Sequence, residues 1–209
     1  MSTYLSYPSY RSYWYNAVMQ TPLPRKFYTA PTTEVAKKLL GKVLIHRTEK
    51  GIISGRVVET EAYTCDDPAC HASRGMTRRN AVMFGQAGRA YVYFTYGMYF
   101  CLNAVTGYEG VGEAVLIRAA EPLEGIELMK ANRGTDDLTN LASGPGKLCQ
   151  AFAIGRDQNG LDLTDSELVI VDDGWRPSEI ITSTRIGIRL AADRPWRFYI
   201  AGNPHVSRK

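Results

Sequence analysis

The segment Arg56-Val57-Val58-Glu59-Thr60-Glu61-Ala62-Tyr63 holds the residues best suited to chemistry. Its β-branched residues predict a strand, and strand side chains alternate. Glu59, Glu61 and Tyr63 therefore share one face, and Val58, Thr60 and Ala62 share the other. Two carboxylates on one face repel each other unless water, a cation or an arginine separates them, so the arrangement costs stability. One account is a pair of surface acids on a half-exposed sheet. The other is a site in which one carboxylate acts as general base on a water and its neighbour ties down surrounding groups. A glycan hydrolase using both acids is a third use, since the carboxyls would stand about 7 Å apart. Side chains from a single strand cannot flank both faces of a sugar ring, which argues against it.

A second candidate is Tyr91-Val92-Tyr93-Phe94-Thr95-Tyr96-Gly97-Met98-Tyr99. Gly97 supplies backbone freedom for a reversal, which would put Tyr96 and Met98 at a hairpin tip. Large apolar groups gain nothing there from facing water. They can serve as a wedge that props open a base step, or they can be buried under a neighbouring helix. From Pro68 to Tyr108 there is no Asp or Glu, while Arg74, Arg78, Arg79 and Arg89 are interleaved with tyrosines. That pattern suits a polyanion whose bases stack, or a solvated basic rim around a tyrosine-filled sheet.

These residues need a scaffold. The chain has 209 residues, an apolar fraction of 44% and a net charge of +4. A domain of this length buries roughly 70% of its unfolded surface, enough to fold without staples. No stretch reaches the ~20 apolar residues of a membrane span. PTTEVAKKLLG predicts a helix capped by Thr32 or Thr33 and ended by Gly41. KVLIHRT and GIISGRVVETEAYT predict strands, as do residues 88–106 on either side of Gly97, GEAVLIRAAEP, ELVIVDD and RFYIAG. EGIELMKANR and SGPGKLCQAFAIG predict helices. Strands and helices do not alternate regularly, so an α+β fold is expected, with a largely antiparallel sheet. Residues 1–27 hold five tyrosines, three prolines and no acid, and read as an irregular arm ahead of one domain over 28–209. The four cysteines fit a reducing compartment. Cys65, Cys70 and His71 are poorly spaced for tetrahedral zinc, so no metal or cofactor is expected.

A wedge, an acid-free basic surface and a strand-borne carboxylate beside a tyrosine are the parts of a base-flipping enzyme. The motifs LLGKVL, GRVVETEAY, HASRG, TRRN, MFGQAGRAYVYFTYGMYFCLN, AVLIRAAEPLEG, SGPGKLCQAF and RFYIAGNP together resemble the alkyladenine (3-methyladenine) DNA glycosylase family, the type without a helix-hairpin-helix motif. The resemblance runs from about Thr32 to Pro204. It implies a curved sheet with surrounding helices and a protruding β-hairpin. It also implies a monofunctional enzyme, acting as a monomer, that flips a damaged purine from duplex DNA and hydrolyses its N-glycosidic bond. In that reading Glu61 is the general base and Arg118 helps hold the attacking water. Tyr63, His71 and Tyr93 stack on the base, and Asn103 disfavours the guanine amino group. Tyr96 intercalates, with Met98 beside it. Arg78, Arg79, Arg89 and Lys147 are expected on the DNA backbone. The compartment would be the cytoplasm with its nucleoid in a bacterium, or the nucleus in a eukaryote. The chain departs from the family at Arg78, where a proline is usual. That change is expected to loosen the loop and add a charge. A damage-binding module without catalysis is disfavoured, because Glu61, Arg118 and Tyr96 are all present.

Overall fold

The computed structural model describes residues 21–207. Eight strands form one curved, wholly antiparallel sheet. They are β1 (Val43–Thr48), β2 (Gly51–Tyr63), β3 (Ala90–Thr95), β4 (Tyr99–Val105), β5 (Ala114–Glu124), β6 (Leu168–Val171), β7 (Ile180–Ser183) and β8 (Arg197–Ile200). The lateral order is β3-β4-β5-β2-β1-β6, and β8 joins β2 to β7. Four α-helices surround the sheet among the described residues: α1 (Arg25–Tyr28), α2 (Thr32–Leu39), α3 (Ile126–Arg133) and α4 (Pro145–Ala151). This is the single α+β domain expected from the sequence.

Strand β2 is the axis. One edge pairs with β5 from Ser54↔Glu124 to Tyr63↔Ala114. The other edge is shared, with Val43–Thr48 of β1 on its first half and Arg197–Tyr199 of β8 on Glu59–Glu61. Glu59 and Glu61 therefore have a strand on each side, and both are 0% exposed. The reading of surface acids on a half-exposed sheet is thereby excluded. The β2–β5 ladder slips beside Glu59, so that Val58 and Arg118 fall between paired positions. Such bulges re-aim side chains, and this one brings Arg118 alongside both acids.

Helix α2 covers the opposite face of β2. Val35, Ala36 and Leu39 are buried there, and the Thr60 hydroxyl donates to the Ala36 carbonyl at 2.8 Å. The start of this helix differs from the expected cap. Pro31 is the N-cap, and Thr32 and Thr33 lie inside the helix. The Thr32 hydroxyl is engaged elsewhere, with Thr106 at 2.8 Å and with the Glu113 carboxylate. Gly41 follows at φ +85°, where a side chain would strain the backbone. Of the expected N-terminal arm, residues 1–20 lie outside the described residues. Beyond them Pro22 bridges to Val171, Leu23 is buried and Arg25–Tyr28 form α1.

Residues 64–89 cross from β2 to β3, and their Cys70, Ala72 and Met83 form a small second core with Tyr91, Val105 and Ala114 of the sheet. This crossing depends on a close approach at Gly112, where an added Cβ would lie 2.3 Å from the Ala72 Cβ and 2.9 Å from the Phe84 ring. We expect Gly112→Ala to cost about 1–3 kcal/mol through overpacking. Thermal unfolding would show it as a lowered midpoint, and an unchanged midpoint would mean that the crossing yields freely.

Candidate active site

Glu61 is wholly buried and adjoins a cavity of about 220 Å³ through three residues of its lining, Tyr63, Ile186 and Arg118. Each carboxylate oxygen is held. The Ile186 amide donates to Oε1 at 2.8 Å and the Tyr63 hydroxyl to Oε2 at 2.8 Å, while Arg118 Nη1 stands 3.3 Å from Oε2. Burial is the largest influence on the Tyr63 phenol, followed by the Glu61 charge, and both push its pKa far above the ordinary tyrosine range. Tyr63 therefore stays protonated and remains a donor.

Arg118 spans the two acids. Its Nε donates to Glu59 Oε1 at 2.9 Å, and its Nη2 reaches the Ser207 hydroxyl at 3.4 Å. Glu59 also accepts from Arg197 Nε at 2.7 Å, from the Ser207 amide at 2.7 Å and from the Ser207 hydroxyl at 3.0 Å. Burial alone would raise the Glu59 pKa. The Arg118 charge and the bonds from Arg197 and Ser207 outweigh it, so the carboxyl titrates below its usual value. Glu59 is thus the acid that ties down its neighbours, while Glu61 is bonded to residues of the cavity lining.

The walls are aromatic. Tyr63, Tyr91, Tyr93 and His71 line the cavity, with Asn103 and Arg118 as polar groups. His71 bonds the Tyr91 hydroxyl through Nδ1 at 2.9 Å and meets the Tyr93 ring edge-on at 4.5 Å. Desolvation, and then the charge of Arg79, keep His71 below the ordinary histidine pKa, so the ring is neutral at pH 7. Burial also lifts the Tyr91 phenol, to about 12. Asn103 donates through Nδ2 to the Tyr91 carbonyl at 3.0 Å, which fixes the orientation of its amide. The expected residues Arg118, Tyr63, His71, Tyr93 and Asn103 all line this one cavity, and Glu61 adjoins it through Tyr63 and Arg118.

Tyr96, Gly97 and Met98 form the turn between β3 and β4. Tyr96 is 81% exposed and Met98 66%, so the alternative that they are buried under a helix is excluded. Tyr96 also lines the cavity mouth, and its backbone is left-handed at φ +50°. Such a conformation is unfavourable for a bulky residue.

The four basic residues expected on the DNA backbone lie on three separate segments. Arg78 and Arg79 lie on the exposed 73–79 loop, and Arg79 Nη2 donates to the Phe94 carbonyl at 3.1 Å. Arg89 precedes β3, at the end away from Tyr96, and stands 3.7 Å from Asp162. Lys147 lies in α4 and bonds Asn140. The turn around Arg78 is closed by Asn80, which accepts from the Thr77 amide at 2.6 Å and donates to the carbonyls of His71 and Gly75. None of these bonds needs a proline at position 78.

Several contributors carried no sequence signal. Arg185 is buried against Asp67, and the 186–188 segment lines the cavity, yet nothing in STRIGIRL marks them. Arg197 and Ser207 reach Glu59 from 138 and 148 residues away.

A buried, arginine-bridged carboxylate bonded to the lining of an aromatic cavity agrees with what comparison shows: the chain is a DNA glycosylase, an enzyme of DNA repair. Residues 26–204 match the family model of methylpurine-DNA glycosylase, and the chain belongs to that family. It is 53% identical to a protein of Methanoculleus marisnigri over 191 residues, covering 90% of this chain and 99% of that one. A protein of Carboxydothermus hydrogenoformans is 50% identical, with the same coverage. Both bear the name "Putative 3-methyladenine DNA glycosylase". Among the described residues no helix is long and apolar enough to cross a membrane.

The Glu59 network gives a stability prediction with a defined sign. Its folded pKa is depressed, so its contribution is complete above the unfolded value of about 4.3. That contribution is lost as pH falls through the folded value. Glu59→Gln leaves two buried guanidinium groups short of a counter-charge and should cost roughly 3–5 kcal/mol at pH 7. The gap to the native protein should narrow below about pH 4. Urea unfolding across pH checks it, and a gap independent of pH would remove the ionic account.

Proposed function

We propose that this protein extrudes a damaged purine from duplex DNA, receives it between Tyr63, His71 and Tyr93, and hydrolyses its N-glycosidic bond. The observation that carries this reading is the held carboxylate of Glu61, bonded to Tyr63 and beside Arg118, both of which line an aromatic cavity. At about 220 Å³ the cavity is smaller than the ~300–1,000 Å³ of a drug-sized ligand site, which suits one flat base.

The chemistry follows from charge. The bond breaks through an oxocarbenium-like sugar, and a nearby carboxylate stabilises that cation. A water held between Glu61 and Arg118 attacks C1′. Glu61 takes its proton, the base leaves with the bonding electrons, and an abasic sugar remains. The described cavity lining supplies no primary amine for an imine with the sugar, which supports a monofunctional enzyme that leaves the strand uncut. Asn103, its amide fixed by backbone bonds, stands against an exocyclic amino group at its position. Tyr96 and Met98 fill the gap left in the duplex. The protein acts as a monomer, with Arg78 and Arg79 meeting phosphates.

Glu61→Gln should abolish release of hypoxanthine or 3-methyladenine while leaving binding to lesion-bearing duplex intact. Single-turnover release and a binding titration check this together, and native-rate excision by the variant would refute the mechanism. Tyr96→Ala should slow excision by at least tenfold, an expectation set by loss of the wedge at a cost of a few kcal/mol per unstacked step. Its thermal midpoint should not fall, because the side chain is exposed. Parallel loss of stability and activity would assign Tyr96 a structural part instead.

A further inference from the structure

Two of the aromatic walls each carry a protein cation. The Arg185 guanidinium lies 4.6 Å from the Tyr63 ring centroid, and the Arg79 guanidinium lies 5.5 Å from that of Tyr93. Neither arginine lines the cavity, whereas both tyrosines do. The Arg185 side chain is wholly buried. It is fixed by Asp67, with Nη2 to Oδ1 at 3.1 Å, and by the carbonyls of Ala62 at 3.0 Å and Ala191 at 3.2 Å. Arg79 is fixed by the Phe94 carbonyl.

A cation on one side of an aromatic ring draws π density toward itself, and the ring then attracts a second cation less. The distinction matters for purine lesions. Methylation at N7 or N3 of a nucleotide leaves a positive charge on the base, whereas deamination of adenine gives neutral hypoxanthine. A bare pair of tyrosines would favour the charged lesion. We propose that Arg185 and Arg79 are specificity-determining residues: by occupying the π systems of Tyr63 and Tyr93, they reduce the cavity's preference for cationic purines and favour neutral ones. The proposal rests on the base-excision reading above and adds the charge class of the substrate to it. It also fits the reactivity of the substrates. A positively charged base already leaves its sugar readily, so stacking assistance is needed most by the neutral lesion.

The test is the ratio of single-turnover excision rates for 7-methylguanine and hypoxanthine, each placed in the same duplex. General damage to the fold lowers both rates and leaves the ratio in place. Removing Arg185 alone would strand the buried Asp67, so the paired variant Asp67→Asn with Arg185→Gln is used, and Arg79→Gln on the exposed loop is made separately. The 7-methylguanine to hypoxanthine ratio should rise roughly three- to tenfold in the paired variant, and in the same direction but less in Arg79→Gln, where the cation stands further from its ring. A ratio that stays native in Arg79→Gln overturns the proposal even if the paired variant does not fold. An unchanged ratio in a folded paired variant does so too. Release of neither base by the native protein would instead defeat the glycosylase reading itself.

Discussion

Glu59 and Glu61 are wholly buried two residues apart on one strand face, and the sheet can hold both because Arg118 stands between them. Moving a carboxylate out of water costs several kcal/mol even after relaxation, and only close, well-bonded counter-charges offset it. Glu59 meets that requirement with two guanidinium groups and both polar groups of Ser207. The consequence is geometric. Arg118 cannot swing away without leaving Glu59 short of a partner, so its Nη1 stays beside Glu61. The bulge that drops Arg118 out of the regular ladder belongs to the same constraint.

The site divides its labour by the rigidity of its supports. Glu59, Glu61, Arg118 and Arg197 are borne on central strands. His71 and the Ile186 amide come from segments outside the regular strands and helices. A fixed carboxylate placed on a strand keeps its aim, while surfaces that admit a ligand are better carried by loops. The Asp67–Arg185 ion pair joins the two loop systems, which links the segment leading to His71 with the one whose amide bonds Glu61.

Much of this was legible in the chain because the informative residues sit in regular local geometry. Period-two alternation held from Glu59 to Tyr63, so one face could be assigned to the acids. Gly97 marked the reversal, and the exposure of Tyr96 and Met98 followed from it. The failures have equally specific causes. The cap expected at Thr32 was lost to tertiary partners, Thr106 and Glu113, which took its hydroxyl. Arg185, Arg197 and Ser207 escaped because their partners lie more than a hundred residues away, where no local period reaches.

The left-handed backbone at Tyr96 sets folding against use. A glycine or asparagine would occupy that conformation more comfortably, and the ring buries almost nothing that would reward its presence. Selection for thermal robustness alone would therefore tend to erase this tyrosine early, leaving a sturdier hairpin with a blunt end. A stabilised descendant of this protein is best judged first at that one position, before its melting behaviour is taken as improvement.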